Sequence, residues 1–258
     1  MAVLRLDHVP ETVKVNLPLY VILPDPSALR GQPLGARQVL YLLHGLSDDG
    51  SAWQRYTSIE TVAAAYGLVV VMPSVGRSFY ADLPNGQRYF TYLTEELPAY
   101  LAGVFGLAPA RAGTLIAGNS MGGYGAFKAA FAQPERFAAA ASFSGVLSLE
   151  FLRTFPNDPR RPEFTQVFGD LDRLAGSAHD PAAWFERAAA NPAALPRLFM
   201  SVGRQEDLYP LNQRAYATLT ALGIAVDYHE EDAGHNWFFW DREIRRFLAA
   251  VLGPLPAA

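Results

Sequence analysis

The sequence predicts an α/β fold in which a mostly parallel central sheet carries helices on both faces. Six short runs are apolar at both odd and even positions, which is typical of strands that are buried on both faces. Segments with helical spacing alternate with these runs. This alternation predicts right-handed βαβ units with the ligand site at the carboxyl ends of the strands. We therefore expect the functional residues in loops that follow strands.

The elements are predicted in chain order from these patterns. Residues 2–6 and 11–23 alternate apolar with polar or small side chains, which predicts an antiparallel edge of the sheet. The buried strands are predicted at 39–43, 68–72, 114–117, 137–143, 198–202 and 224–228. The helices are predicted at 52–66, 90–105, 121–132, 182–190, 210–222 and 240–252.

The segment 144–196 interrupts the strand–helix rhythm. Its regular spacing is broken by Pro156, Pro159, Pro162 and Gly169. We interpret it as an excursion over the active-site edge that could serve as a cap or lid. The length otherwise suits one domain, and we predict a single α/β domain over residues 1–258.

The composition argues against several classes of function. A net charge of −4 offers no basic field for a nucleic acid or an anionic membrane. The absence of cysteine excludes disulfide scaffolds, Cys-ligated metals and a thiolate nucleophile. The chain shows no signal peptide and no apolar stretch of about 18 residues, so we predict a cytoplasmic protein. We expect no cofactor and no metal, because acidic pairs such as Asp48-Asp49 are more typical of solvated loops.

The predicted strand that begins at Thr114 leads into a nucleophile motif. Gly118-Asn119-Ser120-Met121-Gly122 has the pattern G-x-S-x-G, and a helical stretch follows it. This motif places a serine on a strained strand-to-helix turn, where the flanking glycines make room for neighbouring backbone. Ser120 is therefore the predicted nucleophile, and the Met121 amide at the helix N-terminus is a predicted oxyanion donor.

A serine nucleophile needs a base, and five histidines are available. His235 lies in a loop between the last predicted strand and the last helix, which reaches the same sheet edge as Ser120. We predict His235 as the base. His44 directly follows a strand, and we interpret it as a side chain that braces its loop.

The base in turn needs a carboxylate that fixes its tautomer. Glu206 and Asp207 follow the predicted strand 198–202, and we favour Asp207 for its position. Asp232 and Glu206 are the alternatives. The resulting order, Ser120 before Asp207 before His235, is that of the α/β-hydrolases.

The loop after strand 39–43 supplies the second oxyanion donor in such folds. Gly45 allows close approach of the backbone there, and the Leu46 amide is the predicted donor. Aromatic and apolar side chains beside the catalytic loops predict walls for a small acyl group. The predicted substrate-binding residues are Trp53, Tyr124, Leu208 and Trp237.

Several segments along most of the chain resemble one branch of the α/β-hydrolases, the esterase D and tributyrin-esterase-like family. The matching segments are 42–46 with Trp53, 78–82, 95–98, 118–125, 203–209 with Asn212, 234–237 and 240–241. The resemblance implies a carboxylesterase that acts on short acyl esters with Ser120, Asp207 and His235 as its triad. The expected partner is a small-molecule ester, and homo-oligomer formation stays open.

The same branch includes S-formylglutathione hydrolases, feruloyl and acetylxylan esterases, and mycolyltransferases. Thioester hydrolysis and acyl transfer with the same triad are therefore alternatives, and a non-catalytic binding module is a third. Relatives often carry a cysteine near the oxyanion loop, and its absence here disfavours S-formylglutathione as the substrate.

Overall fold

A computed structural model describes residues 1–25, 35, 37–154 and 157–255. These residues form an eight-stranded sheet of order β1-β2-β4-β3-β5-β6-β7-β8. β1 pairs antiparallel with β2, and β2 pairs antiparallel with β4, while the other neighbours are parallel. The strands are β1 (Ala2–His8), β2 (Leu17–Leu23), β3 (Val39–Leu43), β4 (Val69–Pro73), β5 (Thr114–Asn119), β6 (Ala139–Phe143), β7 (Arg197–Gly203) and β8 (Val226–Glu231). This mostly parallel sheet confirms the predicted fold class.

Helices cover both faces of the sheet. They are α1 (Ala52–Tyr56), α2 (Ile59–Tyr66), α3 (Tyr89–Thr91), α4 (Leu97–Phe105), α5 (Met121–Ala132), α6 (Phe151–Thr154), α7 (Arg161–Phe168), α8 (Pro181–Ala188), α9 (Tyr209–Ala221) and α10 (Trp237–Leu252), and one π-helical turn (Tyr92–Glu96) joins α3 to α4. None of the helices in the described ranges has the length and apolar character needed to cross a membrane.

Two apolar cores lie on opposite faces of the sheet, as the alternation along β3 shows. Val39, Tyr41 and Leu43 pack in the core beneath α4, α5, α8 and α9. Leu40 and Leu42 pack in the core beneath α1, α2 and α10. Because successive side chains of a strand point to opposite faces, a strand apolar at every position is covered on both sides. Because neighbouring strands from β3 to β8 run parallel, their carboxyl ends meet at one edge of the sheet.

The segment 11–16 was predicted as part of a strand, and that prediction was wrong. It is a turn in which the Pro10 carbonyl accepts hydrogen bonds from the amides of Val13 and Lys14 at 3.2 and 2.7 Å. Glu96 anchors the turn by accepting from the Thr12 amide at 2.9 Å. Val13 is buried in this turn whereas Val15 is exposed, so the alternation of apolar residues here does not reflect a strand.

The excursion 144–196 contains α6, α7 and α8, and it packs into the core rather than hanging free. Phe168 of α7 lies edge-on to Phe79 and Tyr124, with ring centroids 5.4 and 6.3 Å apart. Tyr124 also contacts Trp184 of α8 at 5.0 Å. A role of this segment as a cap or lid stays a prediction. Pro156, one of the residues that break its rhythm, lies outside the described residues.

Candidate active site

Ser120 lies between β5 and α5, on the turn that the sequence predicted. Its φ of 54° and ψ of −118° fall in a region that residues other than glycine rarely adopt. The turn is held because the Ser120 amide donates to the Phe143 carbonyl at 2.8 Å and the Ser120 carbonyl accepts from the Tyr124 amide at 3.1 Å. The side chain is half-buried. This strained turn presents the hydroxyl at the carboxyl edge of the sheet.

Two glycines make the turn possible. A Cβ at position 118 would lie 2.5 Å from the carbonyl carbon and oxygen of Gly122, and a Cβ at position 122 would lie 2.3 Å from the Leu43 carbonyl oxygen. Both contacts are with backbone, which cannot rotate away as a flexible side chain could. The close packing of α5 on β3 and β5 therefore requires glycine at both positions.

Gly122→Ala is expected to lower the free energy of unfolding by about 3 kcal/mol, because the added methyl group would overpack the contact with β3. Urea denaturation followed by circular dichroism measures this change. Gly103→Ala is the matched control, because Gly103 lies in α4 with nothing within 4 Å of its would-be Cβ. It should stabilise the helix by up to about 1 kcal/mol. Equal stability of the two variants would contradict the packing argument.

His235 lies in the loop between β8 and α10, where it was predicted. Its Nδ1 lies 2.7 Å from Oε2 of Glu206, whose side chain is fully buried. Since a carboxylate oxygen only accepts, Nδ1 carries the proton and Nε2 is left with a lone pair. The His235 side chain is 38% exposed. The ring is therefore oriented by Glu206 at Nδ1 and is partly open to solvent, as a general base must be.

The other oxygen of Glu206 is also bonded. Oε1 accepts from the Ser144 hydroxyl at 2.7 Å and from the Gly203 amide at 2.8 Å. Ser144 in turn accepts from the indole Nε1 of Trp240 at 3.0 Å, and the Trp240 ring lies edge-on to His235. This network fixes the carboxylate that faces the imidazole.

Asp207 was predicted to orient His235, and the structure corrects this. Asp207 is exposed on the turn before α9 and has no hydrogen bond or ion pair within the described parts of the chain. Glu206, which the sequence analysis kept as an alternative, makes the contact instead. The turn explains why: the Gln205 amide donates to the Ala233 carbonyl at 3.0 Å, which holds the turn against the His235 loop and points the next side chain inward.

Ser144 was not among the residues predicted for the site. It directly follows β6, between the strands that lead to Ser120 and Glu206. Its φ of 50° is another strained value for a residue other than glycine. The signal available in the sequence was its place at the carboxyl end of a central strand.

His44 braces the loop after β3, as predicted. It is fully buried, its Nδ1 lies 2.7 Å from the Gly45 carbonyl oxygen, and its Nε2 accepts from the Val75 amide at 3.1 Å. The Tyr80 hydroxyl donates to the His44 carbonyl at 3.1 Å. Burial lowers the pKa of His44 to about 4, so the ring is neutral at pH 7.

His44 should make the protein sensitive to mild acid. Its pKa is about 4 when folded and about 6.5 when unfolded, so acidification through this window protonates the unfolded chain first and destabilises the fold. The loss between pH 7 and pH 5 is expected to be about 2 kcal/mol. His44→Gln keeps an acceptor for Val75 and cannot titrate, so its stability should fall less over that range in urea unfolding. Parallel losses in both proteins would contradict this assignment.

The loop that contains Gly45 lies near both Ser120 and His235. A Cβ at Gly45 would lie 3.6 Å from the Ser120 Cβ and 3.2 Å from Oδ2 of Asp48. Burial raises the pKa of Asp48, and the nearby His235 imidazole partly opposes this rise. Ser120 and His235 are therefore both neighbours of this one short loop.

The two predicted oxyanion donors, the amides of Leu46 and Met121, belong to segments that adjoin Ser120. Leu46 follows Gly45 in the loop. Met121 is the first residue of α5, where a helix leaves its first amides without an intrahelical acceptor and its dipole favours negative charge. An oxyanion formed on a substrate bound at Ser120 would meet the positive end of this helix.

Two of the four predicted substrate-binding residues are packing residues. Trp53 is fully buried and donates its indole N–H to the Leu43 carbonyl at 2.9 Å. Tyr124 is fully buried and donates its hydroxyl proton to the His179 carbonyl at 2.8 Å. Neither side chain has a face open to a ligand. Leu208 and Trp237 are half-buried beside the catalytic loops, and contact with substrate stays a prediction for both.

One cluster outside this site has the residue types of a metal site. His229, Glu231 and Glu243 have ligand atoms within 4.8 Å of one another. Glu231 forms an ion pair with Arg242, and Glu243 lies 2.9 Å from His229 Nδ1. These pairings already account for the charges of the cluster, and we assign no metal to it.

Comparison with known proteins identifies the family. The model of the family described as "Putative esterase" matches residues 11–251. An acetyl esterase of Caldicellulosiruptor saccharolyticus is 29% identical over 254 residues, which cover 95% of this chain and 96% of that protein.

Two solved structures from Staphylococcus aureus are similar throughout. The fluorophosphonate-binding serine hydrolase FphF has a TM-score of 0.87 and 31% identity, covering 97% of this chain and 98% of its own. The S-formylglutathione hydrolase FrmB has a TM-score of 0.86 and 30% identity over the same shares. The chain thus belongs to this esterase family of α/β-hydrolases and is an enzyme that hydrolyses carboxylic esters.

Proposed function

We propose that the protein is a serine carboxylesterase for short acyl esters, in the esterase D and tributyrin-esterase-like branch. Ser120 is the nucleophile, His235 the base and Glu206 the orienting acid. The observation that carries the proposal is the 2.7 Å contact between His235 Nδ1 and the buried Glu206 carboxylate. It leaves the lone pair on Nε2, and Ser120 lies on a nucleophile elbow at the same edge of the sheet.

Acylation follows from these positions. Ser120 Oγ attacks the ester carbonyl carbon while His235 Nε2 takes the hydroxyl proton. Glu206 stabilises the imidazolium that results. The amides of Leu46 and Met121 donate to the oxyanion, and each such donor typically contributes about 10²- to 10³-fold in rate. When the carbon–oxygen bond breaks, His235 returns the proton to the leaving alcohol.

Deacylation uses the same groups in the same roles. His235 Nε2 takes a proton from water, and the oxygen of that water attacks the acyl carbon. The second tetrahedral intermediate collapses, the bond to Ser120 Oγ breaks, and His235 returns the proton to Ser120. The products are a carboxylic acid and the regenerated serine.

The proposed acyl preference rests on similarity to a known esterase. The proposed leaving-group preference rests on the charge of the Asp48 carboxylate. The acetyl esterase from Caldicellulosiruptor saccharolyticus supports a short acyl group. FrmB supports a second candidate, the hydrolysis of S-formylglutathione. Asp48 argues for esters of uncharged alcohols, because it is half-buried beside Gly45 and near His235. The two carboxylates of a glutathione leaving group would be repelled there.

A substrate panel tests the proposal. We expect kcat/KM to be highest for the acetyl to butyryl members of a p-nitrophenyl ester series and to fall for longer chains. S-Formylglutathione should be a poorer substrate than p-nitrophenyl acetate. Asp48→Asn should raise kcat/KM for the thioester relative to the acetate, whereas Ser47→Ala, in the same loop, should leave the ratio unchanged. A preference for octanoyl esters or for S-formylglutathione would overturn the substrate assignment.

A further inference from the structure

Lys128 is not among the residues that we assign to ester hydrolysis, and its burial is unusual for a lysine. The sequence contains two lysines, Lys14 and Lys128, among 21 basic residues. Lys14 is exposed, whereas Lys128 lies in the middle of α5 and is 5% exposed. It lies eight positions after Ser120, about 12 Å along the helix. Lysine, unlike arginine, can lose its proton when buried.

The contacts of the Lys128 amine leave one donor unused. Nζ donates to the Tyr80 carbonyl at 3.3 Å and lies 3.5 Å from Nδ1 of His179. The Phe90 ring centroid is 4.8 Å away. An ammonium group has three N–H donors, so the third has no acceptor within the parts of the chain that the structure describes.

The charged groups around Lys128 do not neutralise it. Burial lowers the pKa of Lys128 to about 7, and the nearby Asp82 opposes this without forming an ion pair with it. Both oxygens of Asp82 accept from Thr91, one from its amide at 3.0 Å and one from its hydroxyl at 2.8 Å. Burial, with the adjacent lysine, lowers the pKa of His179 to about 4, so its ring is neutral at pH 7.

A cavity of about 630 Å³ opens beside this amine, between α5 and α8. Lys128, His179, Asp82 and Asn191 supply polar groups to its lining. Phe131 and Trp184 supply apolar walls, and Arg187, which is exposed, lies at its edge. Arg187 has no ion pair within the described ranges of the chain. The cavity therefore has two basic side chains, Lys128 and Arg187, that form no ion pair with the described residues, and much of its remaining lining is apolar.

We propose that this cavity binds a small monocarboxylate with an apolar body. Its carboxylate accepts the third N–H of Lys128, and its apolar part packs against Phe131 and Trp184. Charge complementarity favours an anion here, because an anion would pair with a buried amine that forms no ion pair with a carboxylate of the described residues. None of the residues that line this cavity belongs to the site at Ser120, so the inference does not depend on the proposed esterase mechanism.

Calorimetric titration of the whole protein with 3-phenylpropionate tests the inference. We expect saturable binding that the uncharged 3-phenylpropanol does not reproduce. Lys128→Met should weaken the affinity at least tenfold, whereas Lys14→Met, which removes the exposed lysine, should leave it unchanged. Equal affinity for acid and alcohol, equal affinity of Lys128→Met and wild type, or no binding at millimolar concentration would overturn the proposal.

Proton uptake gives a second measurement that needs no variant. A bound carboxylate favours the ammonium form of Lys128, so binding at pH 8 should take up part of a proton and affinity should fall as the pH rises above 7. His179, whose pKa is lowered to about 4, stays neutral over this range, and Asp82 and Arg187 are the other ionisable groups that line the cavity. Titrations in two buffers that differ in ionisation enthalpy report the uptake, and an uptake of zero at pH 8 would contradict the proposal.

Discussion

Ser120→Ala is expected to lower kcat for p-nitrophenyl acetate by about 10⁵- to 10⁶-fold, because no other group can form the acyl-enzyme. KM should change little, since the serine hydroxyl contributes to the transition state more than to substrate binding. The fold should persist, because the interactions that hold this turn are those of the Ser120 backbone with Phe143 and Tyr124. Steady-state kinetics and thermal denaturation measure both effects.

Ser47→Ala is the matched control for this variant. Ser47 is an exposed serine in the neighbouring loop, and its loss should leave kcat within about twofold. A fluorophosphonate should label wild type and Ser47→Ala on Ser120 and should fail to label Ser120→Ala. Retention of a tenth of the wild-type rate by Ser120→Ala would refute the nucleophile assignment.

The central sheet could be predicted because its strands are buried on both faces. The prediction for 39–43 matches β3, and that for 121–132 matches α5, since an apolar run and a glycine-rich turn fix their limits. The segment 11–16 failed for a physical reason. Its conformation depends on Glu96, about 80 residues away, and no local pattern contains that contact.

The candidate site was predictable to the level of strands and loops. The places of Ser120 and His235 at the sheet edge could be predicted because each is the one residue of its chemistry in its loop. Glu206 and Asp207 were not separable, because adjacent residues on a turn point in different directions and only the tertiary contact at Ala233 decides which faces inward. Trp53 and Tyr124 failed similarly, since closeness to a catalytic loop does not reveal on which side of the backbone a ring packs.

Glu206→Gln is expected to lower kcat by about 10³- to 10⁴-fold with little change in KM. The two oxygens of Glu206 accept from His235 Nδ1, the Ser144 hydroxyl and the Gly203 amide. A glutamine has one acceptor oxygen, so its amide nitrogen must face either the imidazole or the Gly203 N–H. If the amide nitrogen faces His235, the tautomer of the imidazole is reversed. If it faces Gly203, two buried N–H donors point at each other. Steady-state kinetics at a fixed pH measures the loss.

Asp207→Asn is the matched control, because it makes the same chemical change one residue away on an exposed side chain. Its kcat should stay within about twofold of wild type. Thermal denaturation of both variants separates lost chemistry from lost fold, since a folded Glu206→Gln protein with wild-type KM has kept its site. If Asp207→Asn lost activity and Glu206→Gln kept it, the orienting role would return to Asp207. The hydrogen bonds argue against that result, because a buried carboxylate with every contact satisfied holds an imidazole in one tautomer and an exposed one does not.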